Sequence, residues 1–171
     1  ITPDRQERVS FGPAYQEVKQ YLVYRMHSDK PETIEDLRGK RLEVVAGSSF
    51  AETLAAMQAT QPELAWSENP NSEINELLAA VAARDIDYTV ADSTSFDVHR
   101  NYMPELAVAM DLKDGDQLAW AFRKNDSDDI VAEAQEYFAS IRANGKLAQI
   151  LDRYYGHTDT LTFVGTRTFI R

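Results

Sequence analysis

Apolar positions in this chain recur every second residue in several short runs, and every three to four residues in the stretches between them. Ile86, Tyr88 and Val90 alternate with smaller or polar residues, and Ala91 adds a fourth apolar position. Asp85–Ser93 therefore reads as a short strand buried on at least one face. Before it, Ser72–Ala83 carries Ile74, Leu77, Leu78 and Val81 at helical spacing. The same reading predicts strands at Val9–Phe11, Tyr21–Tyr24, Arg41–Ala46, Leu64–Trp66, Leu106–Met110 and Leu118–Phe122. Thr33–Leu37 reads as a single helical turn. Phe50, Leu54 and Met57 mark a helix that Gln61-Pro62 ends, with Ser49 and Glu52 as its capping box. Phe96–Tyr102 reads as a further helix. Asp126-Ser127 is the expected cap of a long helix bearing Ile130, Val131, Ala134, Tyr137, Phe138 and Ile141. Asn144-Gly145 breaks it, and a second helix with Leu147, Ile150, Leu151 and Tyr154 ends at Gly156. Leu161–Ile170 is β-prone.

Strands alternating with helices through residues 41–110 predict βαβ units and a mostly parallel α/β sheet. The apolar strands at residues 21–26 and 118–123 flank that region. They suit a pair of crossings into a second lobe built from both chain ends, with a cleft between the lobes for a small ligand.

Two places in this scheme carry candidate chemistry. Asp92 ends its strand, and ligands of open α/β sheets sit at the carboxyl ends of strands. Its carboxylate either accepts hydrogen bonds from a ligand ammonium or caps the following Ser-Thr-Ser segment. The turn Gly47-Ser48-Ser49 leads from a strand into a helix, which exposes N–H groups that favour acceptors and anions. It lacks the Gly-Lys-Ser/Thr of a P-loop, and ordinary capping is the competing reading.

Composition narrows the classes. The 171 residues carry a formal net charge of -10 and no cysteine. No basic concentration is available to displace counterions from a nucleic acid, and disulfides and thiolate metal sites are excluded. No run reaches the roughly 18 to 20 apolar residues that span a bilayer. His27, His99 and His157 are scattered without metal-ligand spacing, so no metal or cofactor is expected. Glu73 and Glu76 sit on ordinary helix surfaces, which gives no general-acid site for glycan cleavage.

Four passages together resemble the class 3 periplasmic solute-binding proteins. They are Ile1-Thr2-Pro3-Asp4-Arg5 with Val9–Tyr15, the turn Val45–Ser49, the strand Asp87–Asp92, and the helix pair Ile141–Gly156. The resemblance implies a two-lobe periplasmic-binding-protein-like α/β fold with mostly parallel sheets and an incomplete first lobe. The family's opening strand-helix-strand-helix-strand portion has no counterpart ahead of Ile1. Residues 1–26 and 118–160 would form the remainder of lobe 1, and 27–117 lobe 2. Leu118–Ala121, Tyr154–His157 and Phe163–Phe169 are similar to members in which such a domain precedes a murein-cleaving, lysozyme-like domain. Residues 161–171 would then be the junction toward that partner domain.

By matching position, the resemblance implies that Arg5 pairs with a ligand carboxylate and Asp92 holds its ammonium. It further implies that the turn at Gly47, Ser48 and Ser49 donates to the carboxylate; Tyr15 would stack on the ligand or support the hinge. The implied ligand is an amino acid or a peptidoglycan stem peptide, and the implied setting is the periplasm, with the parent protein at the outer membrane. The chain itself is expected not to be an enzyme. An amino-acid receptor of an ABC transporter is the alternative role.

Overall fold

The computed structural model describes residues 1–124 and 128–155. Helix α1 (Pro3–Arg8), with proline at its start where no N–H is needed, leads into strand β1 (Val9–Phe11). The long strand β2 (Gln16–Arg25) follows, then a single 3₁₀ turn at Ile34–Leu37. Next come β3 (Glu43–Val45), α2 (Ser49–Gln58), β4 (Ser67–Asn69) and α3 (Ile74–Ala83). Strand β5 (Tyr88–Asp92) and α4 (Ser93–His99) precede β6 (Leu106–Leu118) and β7 (Ala121–Arg123). Helices α5 (Asp128–Ala143) and α6 (Lys146–Tyr155) complete the described chain.

β2 lies between β5 and β6 and is antiparallel to both. Its alternation sorts two apolar clusters onto opposite faces. Leu22, with Tyr88 and Val90 of β5, packs among Leu37, Leu42, Val44, Leu54 and Leu64. Val23, with Ala91, packs among Leu77, Leu78, Val81, Phe96 and Leu106. Helix α2 thus covers one face of the sheet, and α3 with α4 the other. A sheet buried on both faces accounts for the nearly unbroken apolar character of Tyr88–Ala91.

This overturns the expectation of mostly parallel sheets. Among the described residues parallel pairing is confined to β3 with β4, where Glu43 faces Ser67, and to an isolated bridge between Leu42 and Tyr88. The remaining ladders, including β1 with β7, are antiparallel. The βαβ alternation through residues 41–110 is real, but β2, from outside that region, inserts beside β5 in the reverse sense. Period-two alternation shows which residues share a face and says nothing of which strand lies alongside.

Other boundaries move for local reasons. Leu64 is a buried core residue rather than a strand position, and pairing begins three residues later, where Ser67 N–H donates to Leu42 C=O. Helix α4 starts at Ser93 rather than Phe96 because Asp92 caps it. Strand β6 runs on through the polar Asp111–Gln117 segment with several register shifts against β2, and Gly115 takes a positive φ there. The expected cap at Asp126-Ser127 and the β-prone Leu161–Ile170 lie outside the described residues.

Ser48, not Ser49, caps α2. Its side chain accepts from the Ala51 N–H at 3.3 Å, so Glu52 is free for another partner. Replacing Ser48 with alanine should cost about 0.5–2 kcal/mol in urea unfolding. Ser49→Ala should stay within roughly 0.5 kcal/mol; the opposite ranking would restore the Ser49–Glu52 capping box.

Candidate functional site

The turn between β3 and α2 is held in a defined shape. Gly47 sits at φ +64°, in the left-handed region where glycine carries no steric cost. Its N–H donates to Glu68 Oε2 at 3.1 Å, and Ser48 N–H donates to Val45 C=O at 3.3 Å. A helix leaves its first N–H groups without intrahelical acceptors. Here the Ser48 hydroxyl takes that of Ala51, and the Ser48 carbonyl that of Glu52. The amides of Ser49 and Phe50 point out of the helix start, where the dipole favours negative charge.

Arg5 reaches this turn from α1. Its Nη2 donates to Gly47 C=O at 3.2 Å, and its Nε lies 3.6 Å from Glu52 Oε1. Those contacts use part of a five-donor fork. The guanidinium therefore stands beside the α2 start with donors to spare. Sequence reading brings Arg5, Gly47, Ser48 and Ser49 together, and the structure places all four at one spot.

Asp92 joins them through Gln20. In the antiparallel ladder of β2 and β5, Gln20 is directly opposite Asp92. Opposed residues project their side chains to the same face. The Gln20 side chain is fully buried, and its amide nitrogen reaches Ser49 C=O at 3.5 Å and also donates to Asp116 Oδ2. Asp116 is in turn ion-paired with Lys113 at 2.6 Å. Gln20 Oε1 is buried without a partner. A buried polar strut on β2 thus ties the start of α2 to β6, and the strand that ends in Asp92 is the other ladder partner of β2.

Asp92 also caps α4. Its Oδ1 accepts from Ser95 N–H at 2.9 Å and its Oδ2 from the Ser95 hydroxyl at 2.7 Å. Capping and ligand contact are compatible, since two carboxylate oxygens offer about four acceptor positions. Nearby, Ser93 Oγ accepts from Lys19 N–H, and Gln16 Nε2 donates to Thr94 Oγ1 at 2.8 Å. His99 Nδ1 lies 2.7 Å from the Ser95 carbonyl, not its hydroxyl, so no serine–histidine relay forms. Among the described residues no group of three or more His, Asp or Glu side chains converges as a metal site.

Tyr15 is placed differently from the other candidates. Its ring stacks on Phe138 of α5 at 5.4 Å and its N–H donates to Leu118 C=O. Burial pushes its phenol above the usual tyrosine range, with Tyr155 adding to the effect. These contacts tie Tyr15 to Phe138 of α5 and to the end of β6.

Sequence reasoning missed Gln20, Asp116 and Glu68, and gave Glu52 a capping role where the structure gives it Arg5. For Gln20 a signal was present. Val18, Gln20 and Leu22 share one face of β2, and both flanking apolar residues are buried; an amide between two core positions needs polar partners. Nothing local marks Asp116 or Glu68, whose partners lie 96 and 21 residues away.

Comparison with known proteins gives a consistent picture. The profile of the bacterial extracellular solute-binding proteins, family 3, matches residues 1–157. The membrane-bound lytic murein transglycosylase F of Shewanella halifaxensis is 37% identical over 170 residues, covering 99% of this chain and 36% of that protein. Its namesake from Ectopseudomonas mendocina is 38% identical over 168 residues, covering 98% of this chain and 34% of that protein. The chain thus spans about a third of the length of the curated relatives it matches. Among solved structures, a mutant of the arginine-binding protein ArgBP from T. maritima superposes with TM-score 0.78 at 22% identity, over 92% of this chain and 66% of that one. An ancestral arginine-binding protein bound to arginine gives 0.79 at 20% identity, over 91% and 68%. The fold is therefore the α/β fold of periplasmic binding proteins. No helix among the described residues is long and apolar enough to cross a membrane.

The Gln20–Asp116 strut makes a quantitative expectation. A double-mutant cycle with Gln20→Ala and Asp116→Ala, read by urea unfolding, should return a coupling of about 0.5–3 kcal/mol. Additive losses would mean that the two side chains do not act as one unit.

Proposed function

The chain belongs to the bacterial extracellular solute-binding proteins of family 3, and from that premise we propose that it is a ligand-sensing domain. Its ligand is an amino acid or a peptidoglycan stem peptide. Its output is control of a murein-cleaving domain carried by the same parent protein, in the periplasm and at the outer membrane. The single observation that carries the ligand half is the meeting of Arg5 with the α2 start, which also receives Gln20, the residue paired with Asp92 across the β2–β5 ladder. The likeness to lytic transglycosylase F supports the regulatory half.

The chemistry is that of a zwitterion clamp. The Arg5 guanidinium and the amides of Ser49 and Phe50 take the α-carboxylate. Asp92 accepts from the α-ammonium. Residues 1–26 and 118–160 act as one lobe and 27–117 as the other, with the crossings between them at residues 21–26 and 118–123. Binding biases the domain only as far as the ligand prefers one lobe arrangement over the other, and coupling to a neighbouring domain is reciprocal. A transport receptor would use the same clamp. The relatives that favour the sensor role are murein enzymes rather than transporter subunits, which sets the order of the two readings.

Calorimetry of this chain against a panel of amino acids and muropeptides tests the clamp. Arg5→Ala should weaken the best ligand by about 2–5 kcal/mol, roughly thirtyfold to several thousandfold, and Asp92→Ala should also weaken it. Unchanged affinity in both variants overturns the site. Loss of amino-acid uptake on gene deletion, with murein turnover intact, would favour the transport role.

A further inference from the structure

We propose that Glu52 is a positioning residue for Arg5. It holds one edge of the guanidinium, so that the other side is presented, already aimed, to a ligand carboxylate. The inference rests on the ligand reading above and adds to it a residue that does not touch the ligand.

The planar fork of an arginine offers two sides for paired contacts. One is the edge formed by Nε and Nη2, the other the end formed by Nη1 and Nη2. Both contacts of Arg5 fall on the edge. Nη2 donates to Gly47 C=O at 3.2 Å, and Nε stands 3.6 Å from Glu52 Oε1. Nη1 has no hydrogen-bond or ion-pair partner among the described residues. The end of the fork is the side left for a carboxylate.

The backbone that carries Arg5 is held independently. Lys124 Nζ donates to the carbonyls of Gln6 and Glu7 at 2.9 and 2.7 Å, and Val9 N–H donates to Arg5 C=O. What remains free is the arginine side chain, whose long stem carries a large rotamer entropy. Glu52 removes part of that freedom before a ligand arrives. Capping does not require its carboxylate, because Ser48 caps α2 and the Glu52 N–H is taken by Ser48 C=O. An acid in the first turn gains from the helix dipole wherever its carboxylate points, so the dipole does not account for the contact with Arg5.

The Glu52 charge also repels a ligand carboxylate, and orientation outweighs that repulsion. The two side chains are 38% and 36% exposed, where solvent screens the attraction or repulsion of charges. The direction of a donor fork is not screened.

Calorimetry on the full-length protein tests this. The probes are the standard L-amino acids and stem peptides released from murein, together with the C-terminal carboxamide of the tightest binder. Glu52→Gln keeps the shape and removes the charge. It should weaken the free acid by about two- to tenfold and shift the carboxamide by less than about twofold. In an Arg5→Ala background it should add no further loss, since the two residues act as one unit. If Arg5→Ala weakens binding while Glu52→Gln leaves it unchanged or tightens it, the clamp stands and the role of Glu52 is overturned. Equal losses for acid and carboxamide overturn it as well, for they mark a general structural effect. If neither substitution changes affinity, or if no probe binds, the ligand reading falls and this inference falls with it.

Discussion

Everything in this domain hangs on β2 being paired on both sides. Ten residues long, it gives its two edges to β5 and β6 and its two faces to separate apolar clusters. A one-residue slip of such a strand would exchange the two faces, moving Leu22 and Val23 each into the wrong cluster. The register is therefore heavily specified. It is the same register that sets Gln20 against Asp92 and lets the Gln20 amide reach the start of α2. The fold thus couples core packing to the geometry of the candidate site through one strand.

Gln20 shows how the two demands conflict. An apolar residue between Val18 and Leu22 would satisfy the core, and burying an amide with one oxygen unpartnered carries a cost. What the amide provides is a tether between the carbonyl of Ser49 and Asp116 on β6. β6 is irregular where this happens, with register shifts and a positive-φ Gly115. Lys19 strengthens the same region by pairing with Asp111 and Asp114, which together hold its ammonium well above the usual lysine range. The Lys19 side chain is about half exposed, where solvent screens the pairs, so they fix position more than they add stability.

Much of this was legible in the sequence, and the losses have identifiable causes. Alternation located β1, β2, β3, β5 and β6, and helical spacing located α2, α3, α5 and α6, because burial imposes those periods directly. The Gly47–Ser49 turn was found from the strand-to-helix pattern and Arg5 from motif resemblance, and the two do meet in space. Strand order was not legible: the antiparallel insertion of β2 beside β5 leaves no trace in either strand's own pattern. The cap on α2 was misread by one residue because Ser48 and Ser49 are chemically interchangeable at a helix start, and only backbone geometry separates them. Asp116 and Glu68 escaped because their partners are remote in the chain. For Tyr15 the resemblance implied two roles, and its stack on Phe138 could not be read from either residue's local pattern.

The account's central claim is that Arg5, the α2 start and Asp92 face one zwitterion. A crystal structure of the domain grown with the ligand that gives the strongest binding heat tests it most directly. The claim predicts the ligand carboxylate on the Arg5 guanidinium and on the amides of Ser49 and Phe50, with its ammonium on Asp92. A ligand seated elsewhere, with Arg5 still on Glu52 and Gly47 and Asp92 still engaged only by Ser95, would contradict it.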